Sequence, residues 1–183
     1  MSNGIIKKID NLLVKSLHWE HIPFSETNFL YLSVFTYKGK PKALTDGTTI
    51  NKGDLVGEIH IDNENLKNLN TSYFSLIRTL QGELKALKTC YLEATPKYSE
   101  IKAIYGISVF YEILKRQDFS ILKMDNSLLC FFGSVWENIL RLSLNSGNKK
   151  SKKKFIFSRE CWISKGQIES MIFKDKKKAN SIK

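Results

Sequence analysis

Two closely spaced glycines most strongly limit what the middle of the chain can form. Gly47 follows Asp46, and Gly53 comes shortly after, so both can adopt the positive φ that tight turns between strands need. Before these turns, residues 29 to 37 are rich in the aromatic and β-branched side chains that favour strands, and residues 55 to 62 resume that character after them. The sequence therefore predicts three or four short strands in an antiparallel β-meander.

Helical periodicity is found on both sides of this β section. Apolar residues recur every three or four positions in residues 4 to 18, which predicts an N-terminal amphipathic helix that packs on the core. The lysines on its polar side also leave open a helix that lies on a membrane surface. A similar pattern over residues 71 to 93 predicts a long central helix, which stops before Pro96 because residues that precede proline disfavour helical backbone.

The C-terminal half alternates strand-like and helix-like segments. Strands are predicted at residues 101 to 109, 118 to 122 and 155 to 163. Apolar residues 128 to 144 predict a helix, and Ser164 is placed to cap a last short helix. The predicted class is α+β, with these strands and helices packed as one domain over residues 1 to 173.

The positive charge is concentrated in two short lysine runs. Of the formal net charge of +11, residues 149 to 154 carry +5 and residues 174 to 183 carry +4, so the remainder carries only +2. A solvated Lys-rich loop over residues 146 to 154 and a disordered basic tail after it explain this pattern. The alternative is attraction to nucleic acid or to an anionic membrane surface. The candidate contacts are Lys149, Lys150, Lys152, Lys153 and Lys154.

The cysteines and the apolar segments indicate in which cellular compartment the protein is found. Cys90, Cys130 and Cys161 are far apart and odd in number, which argues against a disulfide framework and against a zinc ribbon. The N-terminus lacks the apolar stretch of a signal peptide, and no segment reaches the roughly 18 apolar residues that span a bilayer. We therefore expect a cytoplasmic protein that is at most peripheral to the membrane.

The most informative segment for chemistry is the predicted strand over residues 55 to 62. Side chains alternate between the two faces of a strand, so Glu58, His60 and Asp62 share one face. Carboxylate and imidazole groups ligate divalent metals, and an imidazole flanked by carboxylates can act as a base. The three residues are therefore candidates for a catalytic or metal site. The alternative is the polar, solvent-facing side that antiparallel strands commonly have.

His18 and His21 form a second candidate group. Their spacing of three residues places both on one side of a helix if the first helix extends that far. They would join a metal site only if the fold brings this part of the chain next to His60. The chain contains no phosphate-binding glycine loop, dinucleotide fingerprint or GxSxG nucleophile elbow. The cofactor is therefore unknown, with a divalent metal as the candidate.

Several short motifs carry a resemblance to a known family. The most specific run is Glu58-Ile59-His60-Ile61-Asp62-Asn63, which follows the turn at Lys52-Gly53-Asp54. The similarity continues through residues 101 to 108 and ends near Cys161-Trp162-Ile163. Together these motifs resemble the YkoP-like family of Gram-positive bacteria, which is largely uncharacterised. The resemblance implies no catalytic residue, and the Lys-rich insertion is specific to this chain.

The resemblance and the residues lead to three hypotheses on function. Similar domains occur beside polysaccharide deacetylase modules, which implies a small-ligand-binding or accessory domain linked to cell-envelope polysaccharide metabolism and its enzymes. Its site would be the face of Glu58, His60 and Asp62, completed by His21. A metal-dependent or acid–base enzyme using that face is the second hypothesis, and an anionic-surface or nucleic-acid binder is the third. The tryptophans are interpreted as core residues and not as sugar platforms: Trp19, Trp136 and Trp162.

Overall fold

The computed structural model describes residues 19–62, 73–124, 134, 138 and 155–172. The strands are β1 (Glu20–His21), β2 (Leu30–Thr36), β3 (Lys42–Ala43), β4 (Thr49–Ile50), β5 (Leu55–Ile61), β6 (Ala103–Ser108), β7 (Ser120–Leu122) and β8 (Arg159–Ser164). The helices with described bounds are α1 (Tyr73–Leu92), α2 (Tyr111–Lys115) and α3 (Lys165–Ser170).

Six of the strands form one mixed sheet in the order β1-β2-β5-β6-β8-β7. β5 and β6 run parallel, and all other neighbours in this sheet are antiparallel. Parallel neighbours need a crossover connection, and α1 lies in the chain between β5 and β6. The predicted α+β class is therefore confirmed.

β3 and β4 do not continue the sheet but form a separate two-stranded ribbon. The prediction of a continuous meander is wrong at this point, because β2 pairs directly with β5 along the full length of both strands. The hairpin leaves the sheet because it carries its own apolar residues. Leu44 and Ile50 are buried in one cluster with Val56 and Trp162 of the sheet. The ribbon therefore covers part of one sheet face.

The sheet separates two apolar clusters on its two sides. On the first side, Leu84 of α1 belongs to the same buried cluster as Leu32 of β2 and Ile104 of β6. The second side holds the ribbon cluster, in which Val56 is fully buried and Trp162 is 1% exposed. Strands buried on both faces carry apolar residues at successive positions, which accounts for the strand-like apolar runs of the sequence.

Ser164 ends β8 and begins α3 as its predicted cap. Its hydroxyl accepts a hydrogen bond from the backbone N–H of Gln167, and the Gln167 side chain accepts from the backbone N–H of Ser164, so a complete capping box is present. The Ser164 hydroxyl also donates to Asp46 at 2.6 Å, which ties the ribbon turn to the sheet. The prediction of a helix capped by Ser164 is confirmed.

The loop between β1 and β2 is held by a buried carboxylate of α1. Glu83 is fully buried, and its Oε1 atom accepts hydrogen bonds from the hydroxyls of Ser25 at 2.7 Å and Thr27 at 2.5 Å. The backbone N–H of Phe29 donates to the same oxygen at 2.9 Å. A buried carboxylate needs such donors, so the loop and the helix stabilise each other.

Several sequence predictions lie outside the described residues. They are the N-terminal helix over residues 4 to 18 with His18, most of the predicted helix over residues 128 to 144, and the lysine runs at residues 149 to 154 and 174 to 183. Within the part of the chain that is described, no helix is both long and apolar enough to cross a membrane.

Gly57 of β5 has no room for a side chain, which predicts a loss of stability on Gly57→Ala. An added Cβ would lie 2.7 Å from Leu32 Cδ1 and 3.0 Å from Ile104 Cγ2, in a cluster that is already packed. We expect the free energy of unfolding, measured by urea titration, to fall by about 1–3 kcal/mol.

Gly82 is the matched control for this substitution. It lies in the interior of α1, and an added Cβ would meet no atom within 4 Å. Gly82→Ala should raise the free energy of unfolding by about 0.5–1 kcal/mol, because alanine is the better helix former. Equal effects of the two substitutions would contradict the close packing of β5 against β2 and β6.

Candidate functional site

The side chains of β5 alternate between the two sides of the sheet. Leu55 and Ile59 pack against the cluster on the α1 side, whereas Val56 belongs to the ribbon cluster. By the same alternation, Glu58 and His60 project on the ribbon side of the sheet, and their side chains are 25% and 27% exposed. We call this surface the β5 site face; it is defined by Glu58, His60 and the residues that contact them.

His21 and Asp62 form a close pair at one end of the β5 site face. The Nε2 atom of His21 lies 3.1 Å from Asp62 Oδ2, and the two side chains are 35% and 8% exposed. The backbone N–H of Asp62 donates to the carbonyl of Phe29, which fixes the position of the carboxylate. With a carboxylate accepting at Nε2, the neutral imidazole carries its proton there, so Nδ1 is left as an acceptor.

His21 reaches this position from a strand and not from a helix. Glu20 and His21 form β1, which pairs with Leu32 and Tyr31 of β2. The condition for His18 and His21 to share one side of a helix, that the first helix extends to His21, is therefore not met, because extended backbone starts before His21. His18 itself lies outside the described residues.

Glu58 and His60 form a second, looser pair. His60 Nε2 lies 3.7 Å from Glu58 Oε1, which is too long for a direct hydrogen bond, and the nitrogen is buried without a hydrogen-bond partner. The Tyr105 hydroxyl donates a hydrogen bond to the Glu58 carboxylate. Burial raises the pKa of Tyr105 strongly, and the charge of Glu58 raises it further, so the hydroxyl stays a donor.

Aromatic rings surround both pairs. The Trp19 ring stacks on His60 with centroids 3.8 Å apart and planes 14° apart, and the His21 ring stacks on Tyr31 at 4.3 Å. Trp19 and Tyr31 lie 6.1 Å apart in a tilted arrangement. We call Trp19, His21, Tyr31 and His60 the aromatic platform. It occupies the end of the β5 site face that lies towards β1.

A second aromatic group, the half-buried Tyr105 and the buried Trp162, lies beside Glu58. Tyr105 stacks on Trp162 at 4.3 Å, and Trp162 is 1% exposed, as predicted for a core tryptophan. The indole N–H of Trp162 donates to Glu160 at 2.8 Å, and Lys42 lies 3.2 Å from the same carboxylate group. Glu160 therefore has both a hydrogen-bond donor and a cation, and the group is part of the packed structure.

The predicted acidic row does not converge on one point. Asp62 turns to His21, whereas Glu58 faces His60 and Tyr105. Within residues 19–62, 73–124 and 155–172, no three His, Cys, Asp or Glu side chains are arranged to hold a metal ion. The face instead offers carboxylate acceptors beside flat rings, which suits a ligand with hydroxyl or amino groups and an apolar face.

Sequence reasoning missed three residues of the site: Trp19, Tyr31 and Tyr105. Tyr31 lies directly opposite His60 on β2, and Tyr105 lies opposite Glu58 on β6. Alternation within each strand could have assigned each tyrosine to a face, but the pairing between strands was needed to bring them to Glu58 and His60.

A large cavity in the described part of the chain lies elsewhere and contains none of the predicted site residues. It has a volume of about 2030 Å³ and is an open groove, with Arg78 and Lys85 of α1, Arg116 after α2 and Gln167 of α3 in its lining. Small-molecule sites usually have volumes of about 300–1,000 Å³ and surround the ligand on several sides. An open groove of this larger volume does not surround a small molecule in that way. The chemistry of the side chains therefore points to the β5 site face and not to the groove.

The His21–Asp62 contact predicts energetic coupling between these two residues. Because Asp62 is buried and hydrogen-bonded, a double-mutant cycle of His21→Ala and Asp62→Asn should give a coupling of about 1 kcal/mol in the free energy of unfolding. Lys97 and Glu20 form the control pair, with side chains 42% and 55% exposed. Their coupling should be smaller, and equal coupling in the two cycles would contradict a special role of burial at Asp62.

Comparison with known proteins adds a family to this geometry. Residues 3–172 match the family model described as YkoP domain, which covers the strands that build the β5 site face. No curated protein and no solved structure matches the sequence. Since the match spans most of the chain, the protein belongs to the YkoP domain family.

Proposed function

We propose that this protein is a small-ligand-binding or accessory domain that acts in cell-envelope polysaccharide metabolism and binds a saccharide unit on the β5 site face. The observation that carries the proposal is the combination of the Glu58 carboxylate with the stacked ring of Trp19 on one side of the sheet. Sugar rings present apolar C–H faces and hydroxyl edges, so they need both kinds of partner.

The contacts on the face fit the two needs of such a ligand. One side of the Trp19 indole is covered by His60, so the opposite side of the indole is where a sugar ring can stack. The carboxylate of Glu58 has several acceptor positions, and Tyr105 is the one hydroxyl described as donating to it. The β5 site face therefore offers both kinds of partner, hydroxyl acceptors at Glu58 and a ring surface at Trp19.

The cellular setting is also part of the proposal. A cytoplasmic location is supported by the buried thiols of Cys90 and Cys161, which are not in a disulfide bond and so fit a reducing compartment. Cys130 lies outside the described residues. The link to polysaccharides rests on the family resemblance, which implies that similar domains occur beside polysaccharide deacetylase modules.

An acid–base enzyme is the second candidate, and the His21–Asp62 pair favours it. A buried carboxylate that orients a half-exposed imidazole is the arrangement of a general base. Turnover of a saccharide that is lost in His21→Gln, with binding retained, would favour this enzyme over a binding domain.

The lysine-run hypothesis stays a sequence prediction. It predicts binding to nucleic acid or to anionic vesicles that weakens steeply with salt and is lost when residues 149 to 154 and 174 to 183 are deleted.

Calorimetric titration with soluble glycan-strand fragments of peptidoglycan tests the binding proposal. The full chain should bind them, and Trp19→Ala should weaken binding about fivefold or more, because stacking on an aromatic ring contributes about 1 kcal/mol or more. Trp19→Phe should retain part of the affinity, since a smaller ring still stacks.

Phe24→Ala is the matched control for the tryptophan variant. Phe24 is 55% exposed and lines the open groove, so its loss should leave saccharide affinity unchanged. Thermal unfolding of each variant shows whether the fold is kept. Absence of binding to any fragment, or an equal loss in Trp19→Ala and Phe24→Ala, would refute the proposed site.

A further inference from the structure

We propose that the β5 site face selects an amino sugar, a saccharide ring with a free, protonated amine, and that Glu58 binds the ammonium group. This inference rests on the proposed function and names the class of ligand for the same site. It follows from the contacts that Glu58 and His60 make on this face.

Among the described residues, no lysine or arginine pairs with Glu58, whereas several other carboxylates have such a partner. Lys42 lies 3.2 Å from Glu160, and Lys102 lies 2.8 Å from Asp54. On the other side of the sheet, Lys97 lies 3.0 Å from Glu20. In the described part of the chain, His60 is the nearest group to Glu58 that can carry a positive charge. Its Nε2 atom lies 3.7 Å from Glu58 Oε1.

The surroundings of Glu58 suit a cation from outside the protein. Its side chain is only 25% exposed, so the carboxylate is screened from water more than a surface residue and a positive partner interacts strongly with it. An ammonium group has three donors and no acceptor, which matches a carboxylate. Two aromatic rings on this face, Tyr105 beside Glu58 and Trp19 over His60, can add attraction for a cation.

The unsatisfied nitrogen of His60 strengthens this choice. His60 Nε2 is buried, without a hydrogen-bond partner, and faces Glu58 Oε1. In the neutral tautomer that carries its proton on Nδ1, this nitrogen is an acceptor beside another acceptor, and that pair lacks a donor. A ligand ammonium at Glu58 places its charge and N–H groups at this pair of acceptors. A hydroxyl group supplies a single donor and leaves the charge of Glu58 uncompensated.

The flat surface of Trp19 distinguishes a sugar from a simple amine. Small polyamines have no ring that can stack, so they would gain only the contact with Glu58. An amino sugar also places its apolar ring face against the indole. The proposal therefore commits to an amino sugar, and a flexible amine is a competing ligand that the test must separate from it.

Three β-1,4-linked tetrasaccharides test this inference because they differ at one ring position only. Cellotetraose has a hydroxyl at that position, chitotetraose an acetamide, and the chitosan tetramer an ammonium group. In calorimetric titration at pH 6, the wild-type chain should bind the chitosan tetramer about tenfold or more tightly than the other two, as expected for a charge-assisted contact. Spermidine should bind more weakly than the chitosan tetramer.

Glu58→Gln removes the charge but keeps an oxygen that can accept from Tyr105. We expect this variant to bind all three tetrasaccharides within about twofold of one another, because the remaining hydrogen bonds are neutral. Glu93→Gln is the control, since Glu93 is exposed just after α1 and far along the chain from the site, and it should keep the wild-type preference.

The outcomes separate this inference from the proposed function. Equal binding of the three sugars by the wild type, or a preference that persists in Glu58→Gln, overturns the inference but leaves saccharide binding in place. Spermidine binding as tightly as the chitosan tetramer overturns the choice of an amino sugar. If no saccharide binds, both the inference and the proposed function are overturned.

Discussion

The pairing register of β2 and β5 determines which side chains can meet at the site. Tyr31 lies opposite His60 and Ser33 lies opposite Glu58, while Leu32 lies opposite Ile59 on the other side of the sheet. A shift of one residue would exchange the two faces of a strand and place charged groups in an apolar cluster. Burial on both sides of the sheet excludes that shift, so the packing of the two clusters also fixes the site.

The spacing of residues along a strand explains why the acidic row by itself does not form a metal centre among the described residues. Residues two apart are separated by about 6 to 7 Å, whereas ligands of one zinc ion all lie about 2 Å from the metal. Side chains from neighbouring strands must therefore complete any such site. Here the neighbours of His60 are the rings of Trp19 and Tyr31, and Asp62 is engaged by His21.

The parts of the molecule that sequence reasoning could reach are those set by local pattern. The placement of Glu58 and His60 on one face follows from alternation within a single strand, and the Ser164 cap follows from local hydrogen bonding. The aromatic platform depends on pairing between strands that are distant in the chain. β1 has only two residues, which is too short for any periodic signal, so Trp19 was assigned to the core. The ribbon was missed because an antiparallel hairpin has the same sequence pattern inside a sheet and outside it.

The short edge strand β1 connects the site to the core. It brings Trp19 and His21 to the β5 site face, although two residues of strand pairing provide little stability of their own. The loop that follows is held by hydrogen bonds to the buried Glu83 of α1, and its last residue, Phe29, accepts a hydrogen bond from the backbone of Asp62. Asp62 in turn binds His21, so the helix, the loop and the platform form one connected set of contacts. A ligand stacked on Trp19 would add to this set and, because it binds the folded state, would stabilise the edge of the sheet to which it binds.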